Sequence, residues 1–180
     1  KHDLIILSDE MYEKLIYDDQ THTSIASVSQ DAYERTIVVN GVSKAYAMTG
    51  WRIGYLGGPV DLVKKMASIQ SHMTSNPCSI AQYASLEAIA GDQSFVATMK
   101  VEFEARRNLL VGLIEEIPQV SCIKPEGAFY VMMDIHELFG RSLNGKVIDN
   151  ALDFSDALLS EKLVAVVPGE GFGIEGFVRL

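Results

Sequence analysis

Short unbroken apolar runs alternate along this chain with longer stretches in which apolar residues return every three or four positions. Leu4-Ile5-Ile6-Leu7, followed at once by Ser8-Asp9-Glu10, reads as a strand buried on both faces of an α/β sheet. Thr36 to Val39 is a second such run, bounded by Asn40-Gly41, and Trp51 to Leu56 is a third, closed by Gly57-Gly58-Pro59. Pro59 suits the first turn of a helix, predicted over about 60–71. Ile80, Tyr83, Ala84 and Ala88 fall at helical spacing in a predicted helix over 79–90, which stops at Gly91. The longest helical pattern covers 92–117, with Phe95, Met99, Phe103, Leu110 and Leu113 on one side and Arg106-Arg107 among the polar positions. Pro118 ends it.

The texture then changes. Val120 to Ile123 and Ala128 to Met133 read as paired strands joined through Lys124-Pro125-Glu126-Gly127. Residues 134–148 hold no clear period and read as a long connection. A helix is predicted over 149–159, and strands over 164–167 and 177–180. The pattern as a whole predicts α/β architecture in two layers, bridged by the long helix.

Composition narrows the function classes. Fifteen Lys and Arg face 24 Asp and Glu, a net charge of −9 that repels a phosphate backbone and argues against nucleic acid as partner. No apolar run approaches the roughly 20 residues of a membrane helix, and no signal peptide is expected at the start. Two isolated cysteines, Cys78 and Cys122, build no disulfide framework, so a soluble protein of a reducing, cytoplasmic compartment is expected. A sequence that opens Lys1-His2-Asp3 without Met and stops inside a predicted strand reads as a piece of something longer.

Several chemical leads are weak. His2, His22, His72 and His136 lie far apart without metal-ligand spacing, and no metal site is expected. Gly171, Gly173 and Gly176 satisfy G-x-G-x-x-G, but a strand-like run follows where a dinucleotide motif needs a helix, so a loop is the better reading. Isolated, Cys78 reads as a small buried hydrophobe. The stretch from Asn40 to Tyr55 carries more. A lysine just past a buried strand, as Lys44 is, would be partly desolvated, which frees its amine to attack a carbonyl. Arg52, eight residues on, offers a planar fork for a phosphate or carboxylate. Spacing alone leaves open a surface Lys and Arg flanking ordinary strands. Asp9 stands at the exit of the first strand, where ligands of open α/β sheets sit; it could hold a pyridinium nitrogen, with Tyr12 reaching a neighbouring phenolic oxygen. It could equally cap a turn.

Together these words resemble the class I/II aminotransferases among the fold-type-I pyridoxal 5′-phosphate (PLP) enzymes, and most closely the bacterial aspartate and aromatic aminotransferases. The matching residues are Ser8-Asp9-Glu10-x-Tyr12-Glu13, all of Asn40 to Tyr55, and Thr74-Ser75-Asn76-Pro77 followed by Ser79-Ile80-Ala81-Gln82. Further on come Pro125-x-Gly127-Ala128-Phe129-Tyr130, Val166-Val167-Pro168-Gly169 and Val178-Arg179-Leu180. They span the chain in the family's order.

The resemblance implies a C-terminal part of a PLP-binding large domain, a mostly parallel sheet with helices, over 1–91. Most of a small α+β C-terminal domain follows over 92–180, entered by the long bridging helix. It implies that Lys44 forms the Schiff base with PLP and moves the proton at the substrate Cα. Asp9 pairs with the pyridine nitrogen, Tyr12 hydrogen-bonds the ring oxygen, and Arg52 binds the cofactor phosphate. Arg179 grips the substrate α-carboxylate. Asn76 belongs to a segment that approaches a partner subunit, and Phe129 packs near the substrate or in the core. The substrates implied are an amino acid and a 2-oxo acid, and the intact parent is expected to be a homodimer.

There are departures. Gly41 stands where some members carry a phosphate-binding serine. The family's phosphate loop, ring-stacking aromatic and ring-contacting asparagine all lie upstream of Asp9, so the chain reads as a fragment that is inactive in isolation. Two alternatives remain at this stage, a non-catalytic interaction module and a carbon–sulfur lyase of the same fold.

Overall fold

A computed structural model describes residues 2–180. The chain is mixed α/β and divides into two compact units, Lys1–Lys100 and Val101–Leu180. In the first, β1 (Ile6–Asp9) pairs in parallel with β2 (Thr36–Gly41), in the register Ile6 with Thr36 through Asp9 with Val39. The short helix α1 (Gln30–Arg35) lies between these strands in the chain, and the Ser29 hydroxyl accepts from Ala32 N at its start. β3 (Gly54–Gly57) runs antiparallel to β2 with Gly41 opposite Gly54, so the three strands make a mixed sheet in the order β1-β2-β3. Asn40-Gly41 does not bound β2, as the sequence predicts, but is paired within it. Next come α2 (Val60–Met73), entered through Pro59, and α3 (Ser79–Ala90), after which Gly91 N donates to Glu87 O.

Burial in this unit departs from the apolar pattern. The apolar run before Asp9 is not covered on both faces: Leu4, Ile5 and Leu7 are all exposed, Leu7 by 68 %. β1 is an edge strand with one hydrogen-bonded neighbour among the described residues. Along α3 the buried positions are Ala81 and Ser85, whereas Ile80 and Tyr83 face outward. Cys78, read as a buried hydrophobe, is exposed just before α3. The expected periodicities are there, but the faces they would bury lie open.

The helix α4 (Ser94–Glu115) carries the chain into the second unit. There β4 (Ser121–Cys122), β5 (Met132–Asp134), β8 (Val167–Pro168) and β9 (Phe177–Arg179) form an antiparallel sheet in the order β4-β5-β9-β8. Its core joins Val111 and Ile114 of α4 to Val131, Met133, Ile135, Val178 and Ala151, the last from α5 (Ala151–Lys162). Phe95 and Leu113, which fall on the apolar side of the predicted helix, are exposed. Arg107, placed among the polar positions, is only 4 % exposed and donates from Nη1 to Pro125 O at 2.7 Å. The arginine is accommodated there because its guanidinium meets the carbonyl of half-buried Pro125. Within 134–148, read as a long connection without clear period, the structure forms the hairpin β6 (Ser142–Leu143) and β7 (Lys146–Val147). Asn144 and Gly145 turn it with φ of 50° and 84°, the left-handed pair that a two-residue hairpin of matching twist requires.

Candidate active site

Asp9 ends β1 and Gly41 ends β2, and because the two strands are parallel both point toward one edge of the sheet. β3 is antiparallel and starts at that same edge, since Gly54 pairs with Gly41. Tyr12, three residues past Asp9, Lys44, three past Gly41, and Arg52, two before Gly54, are therefore carried to one edge by topology alone. Loops at the carboxyl ends of parallel strands are where open α/β sheets hold ligands.

Each side chain has a local reason for its position. Asp9 Oδ1 accepts from Met11 N at 3.1 Å, which folds the chain back after β1. This is the turn-capping role that the sequence left open, and it uses one carboxylate oxygen. No cation lies in ion-pair range of Asp9 among the described residues. Lys44 sits half-buried in a turn closed by Ala47 N to Lys44 O and Met48 N to Ser43 O, both 3.2 Å. The turn is anchored by fully buried Val42 and by Ile53, Ala81, Tyr46 and Met48, a small core on either side of the lysine in sequence. Lys44 Nζ lies 5.8 Å from the centroid of the Tyr12 ring, so the amine and the phenol are neighbours. Arg52 adopts φ 56° after the 3-10 turn Thr49–Trp51 and donates from Nη1 to Thr49 O at 2.9 Å. Like Asp9, it has no ion-pair partner among the described residues. Arg52 also lines an open groove of about 740 Å³ with Met11, Asn40, Tyr55, Gln70 and Pro77. Burial, with the Glu13 charge, raises the Tyr55 phenol above its ordinary value.

Gly41 has a backbone reason. A Cβ there would meet Ile53 O at 2.9 Å and Gly54 Cα at 3.1 Å, because β3 crosses directly beside it. A serine at this position has no room without moving β3, which accounts for the departure noted in the sequence.

The sequence reading missed the group that braces the turn after β1. Glu10 is buried; its Oε1 accepts from Ser24 Oγ at 2.8 Å and Ser8 Oγ at 3.0 Å, and its Oε2 meets His22 Nε2 at 2.9 Å. Burial alone would raise the carboxyl, but the hydrogen bonds from His22, Ser24 and Ser8 outweigh it and hold Glu10 below the ordinary value. Ligand atoms of Glu10, Glu13 and His22 lie within 4.8 Å of one another, a grouping of metal-binding residue types that spacing did not disclose. Each Glu10 oxygen is already taken by a protein donor, which is how a buried carboxylate is satisfied without a metal.

In the second unit, Val178 points into the core and Arg179, next along β9, takes the opposite face. Its guanidinium carbon lies 4.4 Å from the Tyr130 ring centroid and 4.3 Å from that of Phe172. No ion pair or hydrogen bond is made by this guanidinium among the described residues. Phe129 stacks on Phe103 at 5.3 Å and tilts against Tyr130 at 4.8 Å, an aromatic packing role. Asn76 is exposed and donates to Pro77 O at 3.0 Å. The Gly171–Gly176 segment leaves a 3-10 turn and leads into β9 rather than a helix, so it forms no dinucleotide cradle.

Comparison with known proteins gives a consistent match. The family model described as aminotransferase class I and II matches residues 1–180. An aspartate/prephenate aminotransferase of Cereibacter sphaeroides is 51 % identical over 97 % of this chain and 44 % of its own length. An aspartate aminotransferase of Bacillus subtilis is 47 % identical over 100 % of the chain and 45 % of its own length. The crystal structure of the aspartate aminotransferase of Rhizobium meliloti superposes with a TM-score of 0.93 at 45 % identity, covering 98 % of this chain and 44 % of that one. The chain thus spans less than half the length of the relatives it matches.

Proposed function

Because the chain belongs to the class I and II aminotransferase family, we propose that it carries the lysine and cofactor contacts of a PLP-dependent aminotransferase, which moves an amino group from an aspartate- or aromatic-type amino acid to a 2-oxo acid. The observation that carries this reading is the gathering of an amine, a phenol, a carboxylate and a guanidinium at one sheet edge, with Lys44 Nζ 5.8 Å from the Tyr12 ring. This donor set is chemically complementary to PLP. An amine suits an aldehyde carbon, a carboxylate a pyridinium nitrogen, a phenol the ring oxygen, and a guanidinium a phosphate. Lys44, Asp9, Tyr12 and Arg52 would hold the cofactor in those four roles.

When bound, PLP supplies a sink for the electron pair left when the substrate Cα loses its proton. Lys44 is the base that takes that proton at Nζ and the acid that later returns it. The Asp9 carboxylate, which has no ion-pair partner among the described residues, would pair with the ring nitrogen. Tyr12 would hydrogen-bond at the ring oxygen, beside Lys44. Arg52 provides fixed charge-assisted donors for the phosphate. Arg179 holds the substrate carboxylate through paired N–H donors.

The test is PLP binding by the full-length protein and its Lys44→Ala variant, followed by absorbance and by mass analysis after borohydride. The expected result is a visible band whose reduced label sits on the Lys44 peptide and vanishes in the variant. Labelling of another lysine, or an unchanged band in Lys44→Ala, contradicts the reading.

A further inference from the structure

The contacts of Arg179 define more than a cation. Its guanidinium lies over the faces of two rings brought from separate stretches of chain, Tyr130 just before β5 and Phe172 at the end of the 3-10 turn Gly169–Phe172. Both supports are fixed by backbone. Val131 and Leu180 exchange paired hydrogen bonds of 3.1 and 2.9 Å, which sets Tyr130 beside the strand end that carries Arg179. The turn bearing Phe172 is closed by Gly173 N to Glu170 O at 3.1 Å and Ile174 N to Gly169 O at 3.0 Å. The Glu170 carboxylate is in turn tied to Ala151 N, at the start of α5, at 3.1 Å. A flexible arginine on an exposed strand end samples many rotamers. Flanked by two rings, it keeps its plane while its N–H edge remains open to an acceptor.

We propose that Tyr130 and Phe172 are positioning residues that fix the plane of the Arg179 guanidinium, so that it receives a planar carboxylate in preference to a tetrahedral anion. This rests on the reading of Arg179 as the carboxylate contact. The physical cause is geometric. Rings lying over a guanidinium restrict the approach of an anion to its N–H edge, where the two oxygens of a carboxylate match two parallel donors. A phosphonate presents three oxygens on a tetrahedron and gains less from a fixed plane.

The experiment uses the full-length, cofactor-loaded protein and titrates 3-phenylpropionate and its phosphonate counterpart by calorimetry, neither of which has an amino group to react. Tyr130→Met and Phe172→Met keep volume but remove the ring, Tyr130→Phe and Phe172→Tyr keep the ring, and Arg179→Gln removes the cation. Each ring-removing variant is expected to weaken carboxylate binding about 3-fold, and the double variant about 10-fold. The phosphonate should weaken less, and in steady-state assays the loss should fall on KM more than on kcat. The ring-keeping variants should bind as the parent does, which a merely structural loss would not reproduce. Parent-like carboxylate affinity in the double Met variant, with Arg179→Gln still impaired, overturns the positioning role and leaves the Arg179 reading intact. Parent-like affinity in Arg179→Gln overturns that reading itself. Met variants that weaken both anions equally also overturn the proposal. Should either Met variant fold poorly, the phosphonate-to-carboxylate affinity ratio of Phe172→Leu decides, an unchanged ratio refuting it.

Discussion

Glu10 shows how one buried residue can matter to a site it does not enter. It follows Asp9 directly, and its carboxylate gathers Ser8, Ser24 and His22 around the turn that presents Asp9 and Tyr12. Glu13 lies close by and adds a like charge. The folded state holds the Glu10 carboxyl below its ordinary value near 4.5, so the unfolded chain takes up the proton more readily. That contribution to stability is therefore present above the ordinary value and is lost as the pH falls through the lowered folded one. Glu10→Gln should cost about 1–3 kcal/mol above about pH 5 and progressively less below about pH 4. Thermal melts of both proteins across this range check it, and a gap that is constant with pH contradicts it. None of this was legible in the sequence. Asp9-Glu10 draws attention to Asp9, and nothing in the spacing says that His22 and Ser24 fold back onto its neighbour.

At the scale of elements, α5 shows capping at both ends. Asn150 Oδ1 accepts from Asp153 N at 2.9 Å, which meets one orphan amide of the first turn, and Asp153 Oδ2 reaches back to accept from Asp149 N at 3.2 Å. Asn150→Ala should destabilise the fold by about 1 kcal/mol. The far end is closed by Leu163 with φ 57°, a conformation that costs a non-glycine residue about 1–2 kcal/mol. Leu163→Gly relieves that but frees the unfolded chain by about 0.4–1 kcal/mol, so a gain of several tenths of a kcal/mol is expected. Denaturant unfolding of the two variants checks both signs. Elements of this kind were partly readable. α2 and α3 lie where Pro59 and Gly91 punctuate them, and β9 where an apolar run ends the chain. The hairpin β6–β7 was missed although Asn144-Gly145 marks it, because strands of two residues offer no alternation to detect.

Across the whole molecule, motif and burial part company. Lys44, Asp9, Tyr12 and Arg52 were legible because local sequence words fix strand ends and turns, and the parallel pairing of β1 with β2 then gathers them at one edge. Which faces are covered was not legible. Leu7, Ile80, Tyr83 and Phe95 have the residue types and periods of buried positions, yet they are exposed in a chain that spans 44 % of the length of its relatives. Periodicity says that a face is apolar, not what lies on it. No helix among the described residues is long and apolar enough to cross a membrane. Light scattering of the purified full-length protein is expected to give a homodimer, and a monomer would contradict that.

The most direct measurement of the central claim is a single half-reaction. Full-length, PLP-loaded protein would be mixed with an amino acid in the absence of any acceptor, and the products counted per site. Transfer chemistry predicts one equivalent of 2-oxo acid, no free ammonia, and completion of the cycle on adding a second 2-oxo acid, all abolished in Lys44→Ala. Catalytic release of ammonia without an acceptor, with a thiol when the substrate carries one, would contradict the account and favour a carbon–sulfur lyase.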